Sequence, residues 1–175
     1  LFEGLSPWMQ KLPGGLIHVN VVGCALFAAI SGSSAATVAT VGKMSIPELR
    51  KRKYPENILL GSLAGSGTLG LLIPPSIILI IYGVTVQESI AKLFIAGILP
   101  GIMIALIFMA YVMIWSIINK KSMPIFNKNY SFTEKVRKSG KLLPVILLII
   151  SVIGSIYTGI ATATEAASLG VVGAL

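Results

Sequence analysis

A chain of 175 residues that is 55% hydrophobic and 11% charged, with mean hydropathy +0.90, is too apolar to be a soluble domain, where about a quarter of residues carry charge. Its net charge of +8 does not point to nucleic acid, because the basic residues gather in segments flanking apolar stretches, as anionic headgroups and the positive-inside bias produce. One cysteine, Cys24, cannot form an internal disulfide and reads as a small packing residue.

Residues 1–15 mix polar and apolar positions around Pro7, Trp8, Pro13 and Gly14-Gly15, and are expected to form an interfacial approach with Trp8 at headgroup level. Residues 16–42 are apolar but cut by Ser31-Gly32-Ser33-Ser34. At about 1.5 Å per residue this stretch could cross a roughly 30 Å core once. Its two arms are each half a membrane long, however, and Lys11 and Lys43 bracket it with like charge, so a re-entrant hairpin is the favoured reading. The run Arg50-Lys51-Arg52-Lys53 marks the cytoplasmic side. Residues 57–83 read as a helix broken at Pro74-Pro75, and 90–118 as a transmembrane helix. Residues 119–141, with Lys120, Lys121, Lys128, Lys135, Arg137, Lys138 and Lys141, read as a basic cytoplasmic loop. The two crossings between the basic segments return the chain to the same side, as the charge bias requires. A second transmembrane helix is expected over 142–161 and the start of another over 163–175, with Thr162 and Glu165 at capping-box spacing. No signal-peptide pattern opens the chain and Gly170 to Leu175 stops inside an apolar run, so an internal fragment of a larger transmembrane domain is expected.

The two polar breaks carry the functional expectation. Backbone at membrane depth must satisfy its own hydrogen bonds, so an interruption survives only when buried in protein or lining a polar cavity. Facing broken helices form the ion and substrate sites of many secondary transporters. In the first break, an arm ending before Ser31 exposes carbonyls and an arm beginning after Ser34 exposes N–H groups. The first suits a cation and the second an anion. Gly32 permits the tight turn, the hydroxyls of Ser31, Ser33 and Ser34 can cap or coordinate, and Thr37 and Thr40 continue a polar stripe. A serine-rich packing interface is the plainer alternative.

In the second break, Pro74 and Pro75 lack the N–H groups that would serve the carbonyls of Gly70 and Leu71. Those carbonyls are expected to face a cation while Ser76 to Ile78 open the next half-helix. Carbonyls and hydroxyls without a carboxylate suit sodium better than calcium. His18 and Asn20 lie near the start of the first arm, where a structural role is the simpler reading. Gly61/Gly65 and Gly97/Gly101 have the spacing of close helix contacts. No HExxH, GxSxG or P-loop pattern is present, so protease, hydrolase and ATPase chemistry have no support.

At these motifs the chain resembles a known family. Phe27-Ala28-Ala29-Ile30-Ser31-Gly32-Ser33-Ser34-Ala35-Ala36-Thr37, running on to Gly42, closely resembles the first hairpin of the large, DctM-like membrane subunit of TRAP (tripartite ATP-independent periplasmic) transporters. Gly67-Thr68-Leu69-Gly70-Leu71-Leu72-Ile73-Pro74-Pro75-Ser76 resembles the broken helix that follows it, and Leu93 to Gly101 and Gly159 to Ala167 also match. The resemblance implies an all-α integral membrane protein with an elevator-type ion-transporter fold, of which this chain covers roughly the first half and the start of the second. It implies no enzyme and no cofactor beyond sodium as coupling ion. The implied partners are a small four-helix membrane subunit and an extracytoplasmic substrate-binding protein. The implied cargo is an organic acid, such as a C4-dicarboxylate or sialic acid, crossing the inner membrane of a bacterium or archaeon. Carried over by position, Ser31, Gly32, Ser33, Ser34, Thr37, Thr68, Gly70, Leu71, Pro74, Pro75 and Ser76 would form the first-half site, with sodium held through Ser31, Ser33, Gly70 and Leu71. A stand-alone sodium-coupled carboxylate carrier, or a channel or structural subunit, remains the alternative.

Overall fold

The computed structural model describes residues 2–124 and 131–162, together with 165, 166, 168, 170 and 173, and among these the chain forms helices and no strands. The first helix, α1 (Phe2–Met9), lies in what the sequence suggested was only an approach segment. After a turn through Gly14, at φ +96°, a short 3-10 segment leads into α2 (His18–Ser31). Gly32, at φ +59°, ends α2 in the left-handed conformation that glycine adopts without steric cost. Ser33 is extended, and its hydroxyl accepts the N–H of Ala36 at 3.4 Å, capping α3 (Ser34–Lys51).

The chain doubles back at this turn. Cys24 on α2 packs with Val41 on α3, and Leu16 and Ile17 pack with Leu49, so the arms run antiparallel. The second arm continues past residue 42 to Lys51, which puts Arg50 and Lys51 in its last turn, where the carbonyl end of a helix favours cations. At 14 residues α2 rises about 21 Å, too short to cross a bilayer core unaided.

Next come α4 (Glu56–Gly67), a 3-10 turn (Thr68–Leu71), an irregular segment and α5 (Ile77–Val86). The helix therefore begins to unwind at Thr68, six residues before the first proline. The long α6 (Ile90–Ile118) starts at the Ser89 cap and contains Pro100. By length and composition it is the one described helix able to cross a membrane alone. Its Gly97 and Gly101 face the break: a Cβ on Gly97 would lie 2.9 Å from the Leu72 carbonyl, and one on Gly101 2.9 Å from Ile73. Gly61 on α4 faces nothing, so only one of the two glycine pairs serves a close contact within this chain.

The segment expected to be a basic loop is partly helical. α7 (Phe132–Ser139) opens with a reciprocal capping box between Ser131 and Glu134. It packs on α1, where the Trp8 indole donates to Ser139 Oγ at 2.8 Å and Lys135 Nζ sits 5.2 Å from the Trp8 ring. Trp8 thus holds two surface helices together. The reason the loop reading failed is the alternation of Phe132 and Val136 with charges, an amphipathic turn hidden by the lysine count. α8 (Leu143–Tyr157) covers less than the expected 142–161 span, because the chain turns at Gly159, φ +72°. α7 and α8 meet at a bend of 55° and together have the apolar length of a broken span. Thr162 and Glu165 form the expected capping box, with Thr162 N–H donating to the Glu165 carboxylate at 2.8 Å. The rest of the helix expected over 163–175 lies largely outside the described residues, as does Lys128.

Candidate functional site

The hairpin tip and the double-proline break lie against each other. A Cβ on Gly32 would fall 2.6 Å from the Pro75 carbonyl oxygen and 3.3 Å from the Ile77 nitrogen. A Cβ on Gly70 would fall 2.8 Å from the Ser33 carbonyl carbon and 2.9 Å from the Ser34 nitrogen. Two glycines, one on each element, thus allow backbone-to-backbone contact. The Ile77 N–H, at the start of α5, donates to the Gly32 carbonyl at 3.4 Å. One of the N–H groups expected to be open at this half-helix is therefore spent on the tip.

Within the tip the hydroxyls form a closed circuit. Thr37 Oγ1 donates to the Ser33 carbonyl at 2.7 Å and lies 2.9 Å from Ser31 Oγ, which in turn accepts the Ser33 N–H at 3.4 Å. With Thr37's proton committed to the carbonyl, Ser31 is the donor to Thr37. Every proton in the circuit points inward, and what remains on Ser31 Oγ and Thr37 Oγ1 are acceptor lone pairs. Thr37 is fully buried, whereas Ser31, Ser33 and Ser34 are half-buried.

The break solves its missing donors differently from the sequence expectation. An unbroken helix would offer the N–H of residue 75 to the Leu71 carbonyl, and a proline has none. The buried Ser76 hydroxyl takes its place, donating to Leu71 O at 2.6 Å. The Leu71 carbonyl is thus not wholly free; it keeps one lone pair. Pro74 is buried beside Gly97, and the Pro74-Pro75 peptide bond is cis. Thr68 is exposed and donates to the Gly65 carbonyl at 2.7 Å, so its hydroxyl is turned onto its own helix rather than onto the tip.

Sequence reasoning passed over the residues that hold hairpin and broken helix together below the tip. Asn20 is fully buried, and its amide nitrogen donates to the Leu59 carbonyl at 3.1 Å and to Ser62 Oγ at 3.0 Å. Ser66 Oγ donates to Ser62 O at 2.6 Å and reaches the Asn20 carbonyl at 3.5 Å. At the base, the Tyr54 hydroxyl accepts the Leu16 N–H at 2.8 Å. Burial pushes the Tyr54 hydroxyl up to about 12. The serines at 62 and 66, one helical turn apart and facing an asparagine, were the available signal. His18 donates through Nε2 to the Pro13 carbonyl at 2.7 Å, the structural role its position suggested. Among the described residues no cluster of His, Cys, Asp and Glu could hold a metal ion.

Residues 8–175 match the family described as tripartite ATP-independent periplasmic transporter, DctM component. The chain belongs to the DctM family. It is 42% identical over 172 residues to the C4-dicarboxylate TRAP transporter large permease protein of Pseudomonas aeruginosa, covering 98% of this chain and 40% of that one. It is 41% identical over 168 residues to the sialic acid TRAP transporter permease of Haemophilus influenzae (95% and 27%). The ectoine/5-hydroxyectoine large permease of Ruegeria pomeroyi is 38% identical over 175 residues (100% and 40%). The chain thus spans at most about 40% of these relatives' length. As a DctM-family chain it is a transporter component and not an enzyme.

Proposed function

We propose that this DctM-family chain supplies the first half of the ion and substrate site in the large permease subunit of a sodium-coupled organic-acid importer. The observation that carries the reading is the interlocked pair of breaks. An oxygen-rich tip whose protons are turned inward offers lone pairs, which attract a cation and repel an anion. No carboxylate belongs to the tip or the break, so the oxygen set suits a monovalent ion. The bound cation would then favour a substrate carboxylate beside it, and each ligand would order the contact the other needs, a reciprocal coupling. Relatives named for C4-dicarboxylate and for sialic acid support an organic acid as cargo. A small membrane subunit, a substrate-binding protein, the inner membrane and an elevator-type movement complete the proposal by family likeness.

The test is uptake of labelled C4-dicarboxylate and sialic acid by proteoliposomes holding the full-length chain with its small subunit. It is run with and without a sodium gradient and with and without the binding protein. Uptake requiring both is expected. Ser33→Pro should weaken uptake and sodium affinity together. Lost uptake with unchanged sodium affinity would sink the coupling site, and uptake of free substrate without the binding protein would replace it with a stand-alone carrier.

A further inference from the structure

A cavity of about 670 Å³ lies far from the serine tip, between the turn after α1 and the C-terminal end of α6. Lys11 and Lys120 line it together with Leu12, Pro13, Ile117 and Met123, and no acidic residue takes part. We propose that this cavity holds the headgroup of one anionic membrane phospholipid, its phosphate between Lys11 and Lys120 and its acyl chains along α6.

Charge and position both favour that occupant. Neither lysine joins an ion pair among the described residues, and both side chains are exposed. A helix C-terminus would ordinarily compete for ammonium groups through its open carbonyls, but here local donors occupy them. Ser116 Oγ donates to Val112 O at 2.6 Å, and Asn119 donates to Trp115 O through both its backbone and side-chain nitrogens at 2.9 and 3.0 Å. The two lysines are thus left to meet a phosphate. Below them Ile114, Ile117 and Ile118 are exposed, continuing the apolar side of α6 on which acyl chains can lie. A basic pocket at the cytoplasmic end of a spanning helix is where anionic headgroups bind.

The pocket wall is also built rather than incidental. His18 pins the Pro13 carbonyl, and the Gly14 turn sits so close to α6 that a Cβ there would lie 2.7 Å from Val112 and 2.9 Å from Ser116. The cavity therefore does not depend on a flexible arm closing over its ligand.

The experiment uses the full-length chain with its small subunit in nanodiscs of phosphatidylcholine, with and without phosphatidylglycerol. Thermal unfolding and native mass spectrometry are read for wild type and for Lys11→Gln with Lys120→Gln, which keeps most of both side chains. Wild type should unfold several degrees higher with phosphatidylglycerol and retain one tightly bound copy. The double variant should match wild type in phosphatidylcholine but lose the rise, with retention reduced roughly tenfold or more from two lysines at about 1 kcal/mol each. A rise that persists in the double variant, or is absent from wild type, overturns the proposal. So does an equal rise produced by inorganic phosphate in phosphatidylcholine alone, which would assign the pocket to a soluble anion.

Discussion

Gly70→Ala tests the contact between the two breaks with the smallest possible probe. Gly70 does not adopt a positive φ, so its backbone would accept alanine and only space forbids it. The added Cβ would meet the Ser33 carbonyl carbon at 2.8 Å and two further backbone atoms at 2.9 Å. Backbone cannot rotate away as a side chain can, so the tip must retreat to ordinary contact near 3.4 Å, a shift of about 0.6 Å. Overpacking of this kind costs about 1–3 kcal/mol, which leaves a folded protein. Geometry fares worse: a displacement of about 1 Å at a reacting or binding centre can cost on the order of a hundredfold, so roughly tenfold is expected for 0.6 Å. The assay is the sodium dependence of uptake in proteoliposomes, with thermal unfolding in parallel. Gly61→Ala is the control, since a Cβ there meets nothing within 4 Å and should leave uptake unchanged. Wild-type uptake and sodium half-saturation in Gly70→Ala, or an equal loss in Gly61→Ala, would refute the reasoning.

Asn20→Ala strips the Leu59 carbonyl and Ser62 hydroxyl of their donor. It should cost about 1–2 kcal/mol of stability, the range for polar contacts between membrane helices, measured as a lower unfolding temperature in detergent. Tyr54→Phe leaves the buried Leu16 N–H without its acceptor, at about 1–3 kcal/mol. The same residue makes a pH prediction. Its hydroxyl stays neutral in the folded chain up to about 12 but ionises near 10 when exposed, so wild-type stability carries no Tyr54 dependence below pH 10 and falls between 10 and 12. Unfolding temperatures of wild type and Tyr54→Phe should converge across that window, and parallel curves would disprove the burial argument.

The two breaks were legible because each violates a strong local rule. A serine-glycine turn and paired prolines inside apolar runs are costly unless the fold uses them, and the structure puts them face to face through Gly32 and Gly70. What sequence could not convey was how each break satisfies its own hydrogen bonds. Ser76 lends its hydroxyl to Leu71, Ile77 gives its N–H to Gly32, and Thr68 turns to Gly65, and all three depend on rotamers and tertiary placement. The Asn20 lock was missed for a related reason: its partners lie about forty residues away and have no motif of their own. The helix at Phe132–Ser139 was masked by composition, because its lysines drew attention from the capping box at Ser131 and Glu134.

These hydrogen bonds bear on how the site moves. The hairpin is tied to the broken helix at three depths: Leu16 to Tyr54 at the base, Asn20 to Leu59 and Ser62 in the middle, and Ile77 to Gly32 at the tip. Opening the tip alone would strain the middle and basal ties, and a buried polar group left unpaired costs about 1–3 kcal/mol. Translation of hairpin and broken helix as one body breaks none of them. Joining the two by a disulfide should therefore leave transport intact. In a background with other cysteines replaced, Asn20→Cys with Ser62→Cys bridges the middle tie, where the native side chains already approach to 3.0 Å. Uptake is compared before and after oxidation of the same variant, so that any cost of losing the asparagine cancels. Equal rates in the two states fit movement as a unit. Uptake abolished by oxidation and restored by reductant would mean that the hairpin must part from α4 in every cycle.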